Sequence, residues 1–103
     1  MRVDLGGLEQ FADGVPVRAT AAQRAVVVVR SGERVYALED RCSHEDFPLS
    51  AGEVDLDAGE IECARHGALF RLEDGAPVSL PATRPVATFP AQVADGRVVV
   101  ELP

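Results

Sequence analysis

Both cysteines and both histidines of the chain fall in one stretch, "RCSHEDFPLSAGEVDLDAGEIECARHGALF", residues 41–70. They form Cys42-Ser43-His44 and Cys63-Ala64-Arg65-His66, with eighteen residues between the pairs. This grouping constrains the fold more than any other feature, because two separate segments must each deliver a thiol and an imidazole to one place. Strands meet that requirement well, since loops at strand ends are held by a rigid sheet and can aim side chains at a common point. Gly67, directly after His66, permits positive φ or a close backbone approach there.

The remaining sequence reads as such a scaffold. Residues 24–30 ("RAVVVVR") and 35–38 ("VYAL") are β-branched and apolar and are separated by Ser31-Gly32-Glu33, which predicts a hairpin. Residues 86–89 running on to 93, then Asp95-Gly96, then residues 98–102 predict a second hairpin with an Asp-Gly turn. Residues 60–63 and 68–72 flank the second Cys/His pair, and Glu73-Asp74-Gly75 turns the chain again. Pro81, Pro85 and Pro90 keep residues 79–91 from forming a continuous central strand, so a loop or an edge is expected there. Both ligand pairs therefore sit in loops at strand ends of a small antiparallel all-β protein.

Length and charge narrow the functions. A chain of 103 residues removes only about two-thirds of its unfolded surface from water and has material for one core, so residues 1–103 are expected to be a single domain. No apolar run approaches the roughly 20 residues needed to span a bilayer, and residues 1–7 lack the apolar core of a signal peptide. A cytoplasmic location without membrane contact is the expectation, and reducing conditions there argue against a Cys42–Cys63 disulfide. Seventeen acids oppose ten bases, all arginine, for a net charge of −7 without a basic cluster. Nucleic acid is excluded as a partner on that ground, and a basic patch on another protein suits the chain better.

Two chemistries use two thiols and two imidazoles. One zinc ion would take all four tetrahedrally and make the chain a non-redox protein-binding module. The familiar zinc-finger pattern, however, puts its histidines together at helical spacing. A two-iron cluster accounts better for a histidine paired with each cysteine, since each loop then gives a thiolate to one iron and an imidazole to the other.

"CSH" followed by "CARHG" resembles the cluster-binding motif of the Rieske family, Cys-x-His then Cys-x-x-His-Gly. The flanks "PLSAGEV", "IEC", "ALFRLEDGAPV" and "LPATRPVATFPAQVADGRVVVEL" are similar to bacterial Rieske-type ferredoxins that serve non-haem iron oxygenases, from about Val17 to the C-terminus. The resemblance implies a Rieske-like antiparallel β-sandwich with a two-loop cluster-binding subdomain. The loops would be residues 41–48 and 62–70, and a proline loop at about 79–85, around Leu80-Pro81-Ala82, would cover a third side. It implies one [2Fe-2S] cluster, with Cys42 and Cys63 on an inner iron and His44 and His66 on an outer one. It also implies no catalytic residue, and a monomeric one-electron carrier between a flavin-dependent reductase and a terminal oxygenase. Similar short proteins in iron–sulfur assembly, and the small subunit of nitrite reductase, are alternatives within the same fold.

Respiratory members of the family carry extra cysteines, joined in a disulfide, where this chain has Phe47 and Arg65. They also carry a serine and a tyrosine, donors to the cluster and a ligand thiolate, where it has Ala68 and Phe70. The resemblance is therefore to the low-potential class. Two ferric ions, two sulfides, two thiolates and two neutral imidazoles sum to zero charge when oxidised and −1 when reduced. The missing hydroxyls leave that added charge less stabilised, so a potential near the lower end of the roughly −150 to +300 mV Rieske range is expected. A third histidine for a mononuclear oxygenase iron is absent from the sequence. The segment between the pairs carries Glu45, Asp46, Glu53, Asp55, Asp57, Glu60 and Glu62 and no arginine, and Glu45 and Asp46 beside His44 are candidates to steer a basic partner, with Phe47 and Pro81 as apolar contacts.

Overall fold

Val26, Val27, Val28 and Val29 are all wholly buried. Side chains of a strand alternate between its faces, so a strand with none exposed must be covered on both. The computed structural model, which describes residues 1–43 and 46–103, shows how this is achieved. These valines lie in β3 (Arg24–Ser31), which pairs with β2 (Val17–Ala21) on one side and β4 (Arg34–Glu39) on the other. A short β8 (Thr88–Phe89) closes the edge beyond β4, making a four-stranded antiparallel sheet in the order β2-β3-β4-β8.

One face of this sheet packs Val26, Val28, Val35 and Ala37 with Phe11, Phe89, Val98 and Val100. The last two belong to β10 (Arg97–Glu101), the centre of a second sheet flanked by β1 (Arg2–Gly7) and β9 (Ala91–Ala94). The other face packs Val27, Val29 and Leu38 with Ile61, Phe70 and both cysteines. Ile61 and Phe70 lie opposite each other in a third sheet, β5 (Val54–Asp55), β6 (Glu60–Glu62) and β7 (Leu69–Arg71). Each buried valine of β3 contributes about 1.5–3 kcal/mol through burial alone. The middle strand is thus the shared wall of two cores, and one of them contains the thiols.

The all-β antiparallel expectation holds, with detail that the sequence reading lacked. The first hairpin turns on Gly32-Glu33 alone, since Ser31 pairs with Arg34, and Gly32 takes φ 64°. The second turns at Asp95 (φ 52°) and Gly96 (φ 73°), with positive φ at both central residues, as the Asp-Gly pair predicts. Its first strand is shorter than residues 86–93, because Pro90 interrupts it, in keeping with the expected loop or edge over 79–91: Thr88–Phe89 pairs with β4 as an edge strand and Ala91–Ala94 pairs with β10. β1 and β2 were not anticipated. β1 brings Arg2 opposite Glu101 and so ties the two ends of the chain into one sheet. No helix among the described residues is long and apolar enough to cross a membrane.

Candidate functional site

The first ligand loop leaves β4 at Glu39. Within it the Cys42 N–H donates to the Phe47 carbonyl at 2.9 Å, closing a five-residue step. A one-turn 3-10 helix, Leu49–Ala51, follows, and its Leu49 is buried in the same apolar cluster as Cys42. The second loop joins β6 to β7 and closes in the same way: the Cys63 N–H donates to the Ala68 carbonyl at 2.7 Å. Two unrelated stretches thus bind the amide of their cysteine to the carbonyl five residues on. The thiols Cys42 and Cys63 are buried at 1% and 0% exposure in one cluster, and no disulfide joins them.

Past Cys63 the chain turns outward. The Gly67 N–H returns to the Cys63 carbonyl at 2.9 Å, and Gly67 takes φ 74°, a conformation that a β-carbon would strain. Ala64, Arg65 and His66 are exposed, while Ala68 and Phe70 are buried beside the thiols. The sequence set Cys42, Cys63 and His66 is therefore arranged as two thiols inside and one imidazole at the surface. His44 and Glu45 lie outside the described residues. Among the described residues no three Cys, His, Asp or Glu side chains converge on one metal position.

The two loops are locked to each other by backbone contact. The Glu62 N–H donates to the Glu53 carbonyl at 2.8 Å, and Gly52 packs so closely on the Glu62 carbonyl that a β-carbon there would collide with its oxygen. The proline segment covers a third side. Ser43, between Cys42 and His44, donates its hydroxyl to the Arg84 carbonyl at 2.6 Å, and Ser79 accepts the Leu69 N–H at 3.1 Å. The segment is thereby fastened at one end to each ligand loop. Ala82 is buried in the cluster that holds the thiols, whereas Pro81 is exposed and Leu80 is 79% exposed.

Two expectations change here. The acids between the pairs are not without a cation: Arg41, just before Cys42, places its Nε 3.4 Å from Asp46. Phe47, expected as an apolar contact for a partner, is half-buried against the thiol cluster, and Leu80 is the more exposed apolar group. Asp40 belongs to no motif in the sequence, yet its side chain is wholly buried and bonded to Ser50 and Arg18. The only sequence signal for it is its place two residues before Cys42.

Chemically, two buried thiols and a surface imidazole on paired loops suit a two-iron cluster. A cluster needs thiolates shielded from water on one side and donors at the rim on the other, and this arrangement supplies both. The comparisons agree. The family model of the Rieske [2Fe-2S] domain matches residues 2–90. The anthranilate 1,2-dioxygenase ferredoxin subunit of Burkholderia cepacia is 36% identical over 98 residues, covering 95% of this chain and 89% of that protein. The ferredoxin of carbazole 1,9a-dioxygenase from Nocardioides aromaticivorans IC177 superposes with a TM-score of 0.94 at 34% identity, covering 97% of this chain and 96% of the other. A chain from the complex of reduced oxygenase and oxidised ferredoxin in carbazole 1,9a-dioxygenase superposes with a TM-score of 0.88 at 32% identity, covering 96% and 91%. From its paired loops, its buried thiols and these relatives together, the chain belongs to the Rieske [2Fe-2S] family as a ferredoxin, an electron carrier and not itself an enzyme, with one such cluster as its cofactor.

Proposed function

We propose that Cys42 and Cys63 hold the inner iron and His44 and His66 the outer one, and that residues 1–103 work as a single monomeric unit in the cytoplasm. It would accept one electron from a flavin-dependent reductase and pass it to a terminal non-haem iron oxygenase. When bound, the cluster supplies reversible one-electron chemistry without making or breaking a substrate bond. The chain's own residues do the rest. The apolar cluster around Cys42, Cys63, Ala68 and Phe70 keeps water from the thiolates. His66, exposed at the tip, marks where a partner comes nearest to the electron. Arg41 and Asp46 form an exposed ion pair on the first loop, and Leu80 and Pro81 are exposed on the proline segment.

The observation that carries this reading is the placement of both thiols in one buried cluster with His66 outside it. The two partners are tested with a flavin-dependent reductase and a Rieske-type oxygenase from a related dioxygenase system. Reduced nicotinamide cofactor with a catalytic amount of reductase should bleach the ferredoxin, and the reduced ferredoxin should reoxidise when oxygenase is added without oxygen. His66→Ala should lose both reactions. A ferredoxin that neither reductase nor oxygenase exchanges electrons with, while dithionite reduces it, would overturn the assignment of partners.

A further inference from the structure

Asp40 is the one charged side chain buried among the described residues, and its carboxylate is wholly shielded from solvent. A charge in that position persists only where donors satisfy it. Three do so. Oδ1 accepts the Ser50 backbone N–H at 2.7 Å, and Oδ2 accepts the Ser50 hydroxyl at 2.6 Å and Arg18 Nη1 at 3.1 Å. The Asp40 N–H itself donates to the Ala25 carbonyl at 3.0 Å. One residue is thus joined to β2, to β3 and, ten positions along the chain, to the 3-10 helix that ends the first ligand loop.

The two ligand loops differ in how their ends are held. The second leaves β6 and enters β7, and these strands pair directly, with Glu62 opposite Leu69 and Ile61 opposite Phe70. The first leaves β4 and, among the described residues, meets no paired strand until Val54. Between these points the Asp40 carboxylate and Ser50 make the closure that strand pairing makes for the second loop. Inside that closure lies the smaller one from Cys42 to Phe47.

We propose that Asp40 is a positioning residue for the cluster: its carboxylate fixes both ends of residues 40–50 to the middle sheet and so holds Cys42 in register with Cys63. This rests on the ligand assignment above. A carboxylate is required because all three partners are donors at once. Asparagine can accept from the Ser50 N–H and donate to the Ser50 hydroxyl, but its amide nitrogen then faces the Arg18 guanidinium, so it replaces the closure only in part.

The experiment follows loss of the visible chromophore from the loaded protein in an iron chelator, well below its melting temperature, together with the EPR line shape after reduction and the far-UV circular dichroism. Asp40→Ala should lose the chromophore about tenfold faster, at the low end of what outer partners of metal ligands cost, with a broadened EPR line. Asp40→Asn should lie between it and the unaltered protein, and Ser50→Ala should shift in the same direction by less. Asp4→Asn, which breaks an exposed ion pair of β1, should match the unaltered protein. Variants that melt lower but keep the original chromophore lifetime and EPR line overturn the proposal. If Asp40→Ala fails to fold, the decision falls on Asp40→Asn and Ser50→Ala, whose unchanged lifetimes would overturn it equally. Cys42→Ser runs alongside: a colourless Cys42→Ser protein with unaffected Asp40 variants sinks the proposal alone, whereas a fully coloured one sinks the ligand assignment as well.

Discussion

Ala68 is wholly buried, and its carbonyl accepts the Cys63 amide, so a hydroxyl added to it would stand within the thiol cluster. Of the described hydroxyls on these loops, Ser43 donates its proton to the Arg84 carbonyl, and Ser79 accepts the Leu69 N–H. Ala68→Ser should therefore raise the reduction potential. A hydrogen bond worth about 1–2 kcal/mol more in the reduced state corresponds to about 40–85 mV for one electron. A surface acid acting through water from about 10 Å contributes only ~0.4 kcal/mol and cannot produce such a shift. A redox titration decides it: an unchanged midpoint in Ala68→Ser, or one already well above zero in the unaltered protein, contradicts the argument. Residues of this kind were legible because cysteine and histidine are scarce in the chain and Ala68 and Phe70 are counted from them. Asp40 was not, because its partner Ser50 is ten residues away and no local pattern joins the two.

At the scale of elements, the hairpins that turn on Gly32 and on Asp95-Gly96 could be read in advance, whereas the short β5–β6 hairpin and the one between β2 and β3 could not. β2 and β3 are joined by Ala22 (φ 49°) and Gln23 (φ 67°), with Ala21 opposite Arg24. Both residues take the left-handed conformation without being glycine, asparagine or aspartate, so the turn carries no sequence signature and some strain. Each such residue costs on the order of 1 kcal/mol or more. Replacing the pair by Ala22→Asn and Gln23→Gly should stabilise the fold by about 1 kcal/mol and raise the melting temperature by about 4–8 °C. A calorimetric scan that shows no rise would mean the surrounding strands relieve the strain. β1 was missed for a different reason: its alternation of Val3 and Leu5 with Arg2 and Asp4 is only two apolar residues long, and what makes it a strand is β10 at the far end of the chain.

Across the whole molecule, charge acts in two places. In the sheet joining the chain ends, Arg97 donates to both carboxylate oxygens of Asp4 at 3.1 Å. The Arg97 hydrogen bond and the Gly6 N–H hold the Asp4 carboxyl below its ordinary range. A carboxyl whose pKa is lower folded than unfolded stabilises the protein above the unfolded value, and loses that contribution as pH falls through the folded one. The pair is exposed, so the effect is small and salt-sensitive. Asp4→Asn should flatten the acid limb of stability measured between pH 5 and 2, and an identical limb in both proteins would dismiss it. At the ligand end, Glu45→Gln with Asp46→Asn should slow reduction by the reductase at low ionic strength, and the difference should vanish with added salt. Because Arg41 neutralises Asp46, Arg41→Gln should act in the opposite sense. Equal rates in all three would leave docking to exposed Leu80 and Pro81.

In the proposed assignment, two thiolates and two imidazoles from two loops hold a cluster that carries one electron. Iron, acid-labile sulfide and zinc analysed on the same purified sample, with an EPR spin count after reduction, test it most directly. Two irons and two sulfides per chain are expected, with one unpaired spin in a rhombic signal and loss of all three in Cys42→Ser and Cys63→Ser. One zinc per chain and no spin, in protein made with ample iron, would contradict it.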